Sequence, residues 1–330
     1  MKAAFVEKPG PADSIQVGEL PEPQPGPGDA LVRVTYSAVN PIDTYVRGGM
    51  VAMDLPAPYI PGCDLAGEVV RSGGGFRPGQ RVWGSNQGLL GRQGTLCELA
   101  AVGEQWLYPI PDGVTDEAAA AGALVGITSH LGLVREARVQ SGETLLVNGG
   151  SGGVGSTVVQ MAKALGATVI ATAGTDVKRQ ACRDLGADVA VDYKVDDLAD
   201  ALAGEIPSFS GANVWWETTR EPDFDRILSC LAERGRVVLM AGRDARPEFP
   251  VGPFYVKGAS LHGFVMFKAT PEEQREAAES INAWLASGEY RPKVGQTFTL
   301  DQAADAHRLQ EQNTLSGAGT LAGKIVVKVG

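Results

Sequence analysis

A glycine-rich segment over residues 147–155 has the residue types and the spacing of a phosphate-binding loop. Gly150, Gly152 and Gly155 form the pattern GxGxxG between a predicted strand and a predicted helix. Glycine suits these positions because the turn is tight, the backbone approaches a pyrophosphate, and the helix packs closely on the strand. The N–H groups at the helix N-terminus would then face the pyrophosphate. This context favours a dinucleotide site over a purely structural glycine turn.

The end of the second strand distinguishes NAD from NADP. An NAD site usually has an acidic residue there, which binds the ribose 2′-hydroxyl. Here the strand ends in residues 171–175, Ala-Thr-Ala-Gly-Thr, without an acid. Lys178 and Arg179 in the next helix can neutralise a 2′-phosphate, and Tyr193 can reach the same region. We therefore predict NADPH. Asp176, which we interpret as part of the helix start, leaves NADH as the alternative.

A parallel sheet must position these residues, and the middle of the chain has the corresponding pattern. Apolar strands alternate with helical segments such as 154–165, whose apolar residues recur on one face. This alternation predicts a doubly wound α/β domain of the Rossmann type. The strands that we predict cover 144–147, 168–172, 189–191, 213–217, 236–240 and 260–265.

The sequence on either side of this region has a different character. Before about residue 115, short runs rich in β-branched residues are broken by Pro and Gly, which indicates a small β-barrel or sandwich. Later segments predict helices over 271–287 and 301–312 and a strand over 324–329 that rejoins the first part. We therefore predict a nucleotide-binding domain over 122–262, inserted between two parts of the other domain, 1–121 and 263–330.

The bulk composition excludes several classes of protein. The 330 residues suit two domains. Lys and Arg total 29 against 39 Asp and Glu, and the net charge of -10 disfavours binding to nucleic acid or to an anionic membrane. We expect neither a signal peptide nor a membrane span. The four scattered cysteines form no CxxC pair, which favours free thiols and a cytoplasmic location.

Two further segments resemble a known family. Residues 39–49 (VNPIDTYVRGG) and 61–69 (PGCDLAGEV), with the phosphate loop and the GKIV sequence at 323–326, are similar to zinc-free quinone oxidoreductases. These form the zeta-crystallin group of the medium-chain dehydrogenase/reductase superfamily. The resemblance extends over essentially the whole chain. It implies a GroES-like β-barrel domain that contains an inserted Rossmann domain, an active site in the cleft between them, NADPH, and a homodimer or homotetramer.

The resemblance also assigns site residues by position. It implies that Asn40 and Tyr45 line the nicotinamide and substrate pocket as the catalytic residues. The cofactor-binding residues that it implies are Thr128 near the nicotinamide, Gly152, Gly153 and Val154 at the pyrophosphate, Gly174, Lys178 and Tyr193 at the adenosine end, and Ala241, Gly242, Phe264, Val265 and Phe267 beside the nicotinamide half.

The residues disfavour a metal site. Zinc-containing relatives have a cysteine where Asn40 stands and a histidine where Cys63 stands, and one thiol cannot hold the metal. The three histidines, His130, His262 and His307, lie outside this segment. Two other departures from the family are Glu217, where Asp is common, and the bulky Trp215-Trp216 pair.

Without a Lewis acid to activate an alcohol, the site favours hydride delivery to an acceptor that is already electrophilic. We predict quinone reduction, with reduction of an enone or enal as the alternative; a zinc alcohol dehydrogenase and a non-enzymatic crystallin-like binding protein are more remote. Tyr45 is the candidate to hydrogen-bond the acceptor oxygen, although it could instead only pack against the nicotinamide. We interpret Asp43 and Arg47 as a local ion pair.

Overall fold

The computed structural model describes all 330 residues, which form two compact units. The first unit contains residues 1–127, 269–286 and 291–330, and the second contains 128–268 and 287–290. The domain boundaries that we predicted, after residues 121 and 262, lie a few residues earlier in the chain. The short return of 287–290 to the second unit has no counterpart in the prediction.

Fifteen strands and nine α-helices make up these units. The strands are β1 (Lys2–Phe5), β2 (Gln16–Glu19), β3 (Asp29–Val39), β4 (Asp64–Arg71), β5 (Arg81–Gly84), β6 (Leu99–Gly103), β7 (Leu107–Pro109), β8 (Thr144–Asn148), β9 (Thr168–Thr172), β10 (Val189–Val191), β11 (Ala212–Glu217), β12 (Leu231–Leu239), β13 (Ser260–Gly263), β14 (Val294–Thr299) and β15 (Lys324–Lys328). The helices are α1 (Pro41–Arg47), α2 (Asp116–His130), α3 (Gly153–Ala164), α4 (Asp176–Asp184), α5 (Leu198–Glu205), α6 (Phe224–Cys230), α7 (Val251–Val256), α8 (Pro271–Ser287) and α9 (Ala303–Thr314).

The sheet of the first unit is built from both ends of the chain. Its order is β14-β15-β3-β4-β5-β7, and β6 also pairs with β3. β15 lies antiparallel to β3, with Val326 opposite Ala38, which confirms that the terminal strand rejoins the first part of the chain. This pairing brings the start of β15 next to the end of β3, where α1 begins.

The second unit contains a six-stranded parallel sheet in the order β10-β9-β8-β11-β12-β13. Strand order reverses between β8 and β11, the two central neighbours, and in such sheets ligands bind at the carboxyl ends beside this point. The order is that of a Rossmann fold, as the sequence predicted. The central strands are buried and apolar, as expected of a parallel sheet covered on both faces.

Helix α1 was not predicted, although its sequence contains clear start signals. Pro41 occupies its first turn, and Asn40 and Asp43 form a reciprocal capping box. A further stretch, 116–136, is long and apolar enough by composition alone to cross a membrane, but 78% of its apolar window is buried inside the protein. Such burial is typical of a core helix, so this stretch is weak evidence for a membrane span.

Candidate active site

The phosphate loop lies where the sequence placed it, between β8 and α3. Glycine suits two positions of the loop, Gly152 and Gly155, for different reasons. A Cβ on Gly155 would lie 2.1 Å from the carbonyl oxygen of Gly149, so the helix and the loop are in close contact. A Cβ on Gly152 would meet only that same oxygen, at 3.5 Å, and Gly152 is exposed. No side chain caps α3, whose first N–H groups therefore border an open cradle suited to a pyrophosphate.

Gly174 and Tyr193, predicted at the adenosine end, lie together. A Cβ on Gly174 would be 2.6 Å from the Tyr193 hydroxyl. The neighbouring α4 starts at Asp176, and its N-cap residue Thr175 accepts a hydrogen bond from the backbone N–H of Lys178 at 3.3 Å. β9 ends at Thr172, and residues 173–175 are Ala, Gly and Thr, so no carboxylate stands at the end of this strand, as the sequence indicated.

Arg179 is engaged with carboxylates rather than facing this region freely. It pairs with Asp192 at 2.8 Å and with Asp176. Asp176 lies at the start of α4, where its side chain is 96% exposed and pairs with Arg179. Arg179 is thus held by two carboxylates, and a 2′-phosphate contact of Lys178 stays a prediction.

A buried polar network at the ends of β8, β9 and β11 supports the phosphate loop. The sequence did not predict this network. The carboxylate of Glu217, at the end of β11, accepts both bonds from the Asn148 amide nitrogen at 3.0 Å. The Thr172 hydroxyl donates to the Asn148 Oδ1 atom at 2.6 Å and accepts from the Gly149 N–H at 3.1 Å. Polar residues at the ends of three neighbouring parallel strands were the signal that could have revealed it.

The residues predicted beside the nicotinamide are distributed over several elements of the second unit. Phe264 packs edge-on to Trp216, with ring centroids 6.5 Å apart. Gly242 follows β12 with φ +80, and a Cβ there would lie 2.5 Å from the Arg220 carbonyl oxygen. The remaining members are Thr128, which is buried in α2, Phe267, which is half-buried, and Ala241 and Val265, which are exposed.

In the first unit, Asn40 is clamped between a cation and an anion. Lys324, at the start of β15, donates from its ammonium to Asn40 Oδ1 and to the Val39 carbonyl oxygen, the latter at 3.0 Å. The Asn40 amide nitrogen donates to Asp64 Oδ2 at 2.8 Å. Both Asn40 and Asp64 are fully buried. Because an ammonium only donates and a carboxylate accepts, the orientation of the amide is unambiguous.

Burial shifts the titration of this cluster. It raises the pKa of Asp64 to about 7, although Lys324, Ser85 and Asn40 act in the opposite direction. It likewise raises the pKa of Asp43 and, well above its usual range, that of the Cys63 thiol. The pKa of Lys324 is lowered by burial and supported by the attraction of Asp64. Lys324 is therefore the basic group whose attraction lowers the pKa of both buried carboxyl groups.

These residues do not fit a zinc ion. No group of three or more His, Cys, Asp or Glu side chains has an arrangement that could hold a metal. The Asp64 oxygens are occupied by hydrogen bonds from Asn40, Ser85 and the Leu124 N–H, and the Lys324 ammonium lies against Asn40. A second cation at this position would be repelled.

The interpretation of Asp43 and Arg47 as a local ion pair is wrong. Arg47 is fully buried and pairs with Glu311 of α9 instead. Asp43 Oδ2 accepts from the backbone N–H of Asn40 at 2.7 Å and so stabilises the start of α1. Tyr45 lies on the same helix and is half-buried.

Comparison with known proteins agrees with this architecture. The alcohol dehydrogenase GroES-like domain matches residues 26–112, and the zinc-binding dehydrogenase domain matches 153–283. A quinone oxidoreductase of Pseudomonas aeruginosa PAO1 is 32% identical over 298 residues, which cover 86% of this chain and 88% of that protein. The chain belongs to the quinone oxidoreductase group of the medium-chain dehydrogenase/reductase superfamily.

Two solved structures extend the comparison to the fold. A crystal structure of an NAD-dependent alcohol dehydrogenase covers all of both chains with a TM-score of 0.89 and 30% identity. Escherichia coli quinone oxidoreductase complexed with NADPH gives a TM-score of 0.83 and 26% identity, over 99% of this chain and all of the other. The first unit thus contains a GroES-like domain, and this member of the quinone oxidoreductase group is an oxidoreductase.

These two structures are named for different nicotinamide cofactors, so similarity of fold alone does not distinguish NAD from NADP in this oxidoreductase. The distinction rests on the end of β9 and the start of α4, where Lys178 and the Gly174–Tyr193 contact lie. The domain that matches residues 153–283 is described as a zinc-binding dehydrogenase. No group of three or more His, Cys, Asp or Glu side chains in this structure could hold a metal ion.

Proposed function

We propose that this protein is an NADPH-dependent, zinc-independent reductase of quinones. The observation that carries the proposal is the cofactor site of the second unit, which combines an open phosphate loop with a β9 end that lacks a ribose-binding acid. Relatives named quinone oxidoreductases and a similar structure named as a complex with NADPH support it.

When bound, NADPH supplies the hydride. The chain's own contribution is binding and orientation. The N–H groups at the start of α3 would hold the pyrophosphate, and Lys178 would neutralise the 2′-phosphate. Tyr45 hydrogen-bonds the carbonyl oxygen of the acceptor and Asn40 orients the pocket wall. After hydride transfer the quinone needs one proton to become the hydroquinone, and solvent supplies it, so no dedicated acid is needed.

The zinc-independent part of the proposal rests on the Asn40–Lys324–Asp64 cluster, in which an ammonium provides the positive charge. Activity that survives exhaustive dialysis against a chelator, with no zinc in the purified protein, is the expected result. Loss of activity that added zinc restores would contradict it.

We also propose a homodimer formed through the edge of the second sheet. β13 ends the sheet and pairs only with β12, so its outer edge can add a strand from a second copy. Exposed apolar side chains lie in this strand and close to it in sequence: Leu261 and Val265 are each 41% exposed, and Val251, Tyr255 and Val256 of the preceding α7 are 63–69% exposed. A polar or charged edge would be expected if it faced only solvent.

The decisive experiment follows the absorbance of the reduced cofactor with purified protein. NADPH and NADH are each tested with an ortho-quinone, a para-quinone and a simple enone. A strong preference for NADPH with quinone turnover supports the proposal. Turnover of the enone alone moves the function to double-bond reduction, and a preference for NADH contradicts the role of Lys178.

A further inference from the structure

The hydrogen bonds that the buried Glu217 carboxylate accepts all come from uncharged donors. Its side chain lies at the end of β11 and is 2% exposed. Oε1 accepts from the Asn148 amide at 3.0 Å and from the Thr219 N–H at 2.7 Å. Oε2 accepts from the same amide at 3.0 Å and from the Trp215 indole at 3.1 Å. Each carboxylate oxygen therefore faces two donors.

This arrangement determines the direction of every hydrogen bond up to the phosphate loop. A carboxylate only accepts, so Asn148 must present its nitrogen to Glu217 and its Oδ1 atom to Thr172. The Thr172 hydroxyl uses its one hydrogen on that oxygen, at 2.6 Å, and its lone pairs remain for the Gly149 N–H. Glu217, Asn148 and Thr172 thus form a relay that ends on the first residue of the loop.

Two further bonds hold the same point of the chain. Thr218 donates from its hydroxyl to the Asn148 carbonyl oxygen at 2.5 Å, and the Gly150 N–H donates to the Thr172 carbonyl oxygen at 3.0 Å. The start of the loop is therefore held between β9 and β11. Gly155 then packs against the Gly149 carbonyl, which leaves the loop little freedom to adjust.

We propose that Glu217 is a positioning residue of the cofactor site, which acts through Asn148 and Thr172 to set the conformation of the phosphate loop. The cofactor-binding part of this inference rests on the proposed function. Because Glu217 is an anion near the binding site of an anionic cofactor, its charge acts against cofactor binding while its hydrogen bonds support it. If its charge mattered more than its hydrogen bonds, neutralising it would strengthen NADPH binding.

Glu217→Gln separates the two effects. The glutamine NH2 group would face two donors, whichever way the amide is turned, so the relay would be broken while the charge is removed. We expect the dissociation constant for NADPH, measured by titration calorimetry, to rise at least tenfold. The KM for the quinone should stay within about twofold, which a general loss of structure would not give. Equal or tighter NADPH binding would overturn the proposal.

A milder pair of variants tests the relay without altering the buried charge. Thr172→Val keeps the shape of the side chain and removes the hydroxyl, whereas Thr172→Ser keeps the hydroxyl. We expect weaker NADPH binding, by about three- to tenfold, for Thr172→Val only. The double variant with Glu217→Gln should bind no more weakly than Glu217→Gln alone, since the relay is already broken. Equal behaviour of the two Thr172 variants would contradict the relay.

Hydrogen exchange distinguishes failure of this inference from failure of the proposed function. In the ligand-free protein, the Gly149 amide should exchange faster in Thr172→Val and in Glu217→Gln than in the wild type and Thr172→Ser. If the wild type does not bind NADPH, the cofactor assignment is wrong, and the exchange rates still test the relay. If it binds NADPH and the rates are unchanged, the relay is wrong.

Discussion

Lys324 illustrates how one buried side chain determines the chemistry around it. It contacts Asn40 and lies close to two carboxyl groups whose pKa values are raised by burial. Nothing in its sequence context, the first residue of an apolar terminal strand, distinguishes it from an exposed lysine such as Lys328 at the other end of β15. The pairing of β15 with β3 places it beside Asn40.

Replacing Lys324 with methionine should destabilise the protein by about 3–5 kcal/mol at pH 8, because Asp43 and Asp64 would remain buried without their cation. The loss should be smaller at pH 5.5. A carboxyl group whose folded pKa is raised loses stability as the pH rises through that value, and removal of the ammonium raises it further. Urea denaturation at both pH values measures this, with Lys328→Met as the control. A loss that does not depend on pH would contradict the charge argument.

At the scale of one residue, we propose that Lys178 determines the preference for NADPH. Lys178→Ala should raise the KM for NADPH at least tenfold, which corresponds to about 1.4 kcal/mol, and leave the KM for NADH within about twofold. The comparison isolates the 2′-phosphate, the only difference between the two cofactors. Lys8→Ala, at an exposed position of the first unit, is the control. An equal rise for both cofactors would assign Lys178 a general structural role.

At the scale of elements, the junction of β8 with α3 makes two different demands on glycine. Gly155 is required by packing within the protein, since a Cβ would lie 2.1 Å from a carbonyl oxygen. Gly152 has an extended backbone with φ -75, and a Cβ there would make only an ordinary contact of 3.5 Å with the Gly149 carbonyl oxygen. The protein alone would accept alanine at Gly152, and under the proposed function the glycine there leaves the space that the cofactor needs.

Gly155→Ala should therefore lower stability, whereas Gly152→Ala should weaken cofactor binding. We expect Gly155→Ala to lower the free energy of unfolding by more than about 2 kcal/mol, as overpacking does. Gly152→Ala should leave it within about 0.5 kcal/mol while the KM for NADPH rises at least tenfold. Thermal unfolding and cofactor titration measure the two effects. A folded Gly152→Ala variant with unchanged NADPH affinity would place the pyrophosphate elsewhere.

At the scale of the whole molecule, the apolar edge around β13 predicts association. Val256→Glu, together with Leu261→Glu, should convert a dimer into a monomer in light scattering after size exclusion, because charges would be buried at the interface. Val177→Glu is the matched control, since Val177 is equally apolar and 81% exposed on α4. A monomeric wild type, or a dimer that persists in the double variant, would contradict the proposed interface.

The sequence by itself determined the Rossmann sheet, the phosphate loop and the absence of an acid at the end of β9, because these depend on local periodicity, glycine spacing and the order of the strands. It also indicated the family, through segments that are contiguous in the chain. Helix α1 is equally predictable from the sequence, since its proline and capping box are local signals.

Only the tertiary structure decided the partners of the buried charges. Arg47 pairs with Glu311, Lys324 contacts Asn40, and Glu217 reaches the loop through side chains of two neighbouring strands. Each pair joins residues that are far apart in sequence. Desolvation makes such partners obligatory without specifying which of many polar residues they are. Strand pairing and helix packing determine which residues become partners, and no local sequence pattern predicts them.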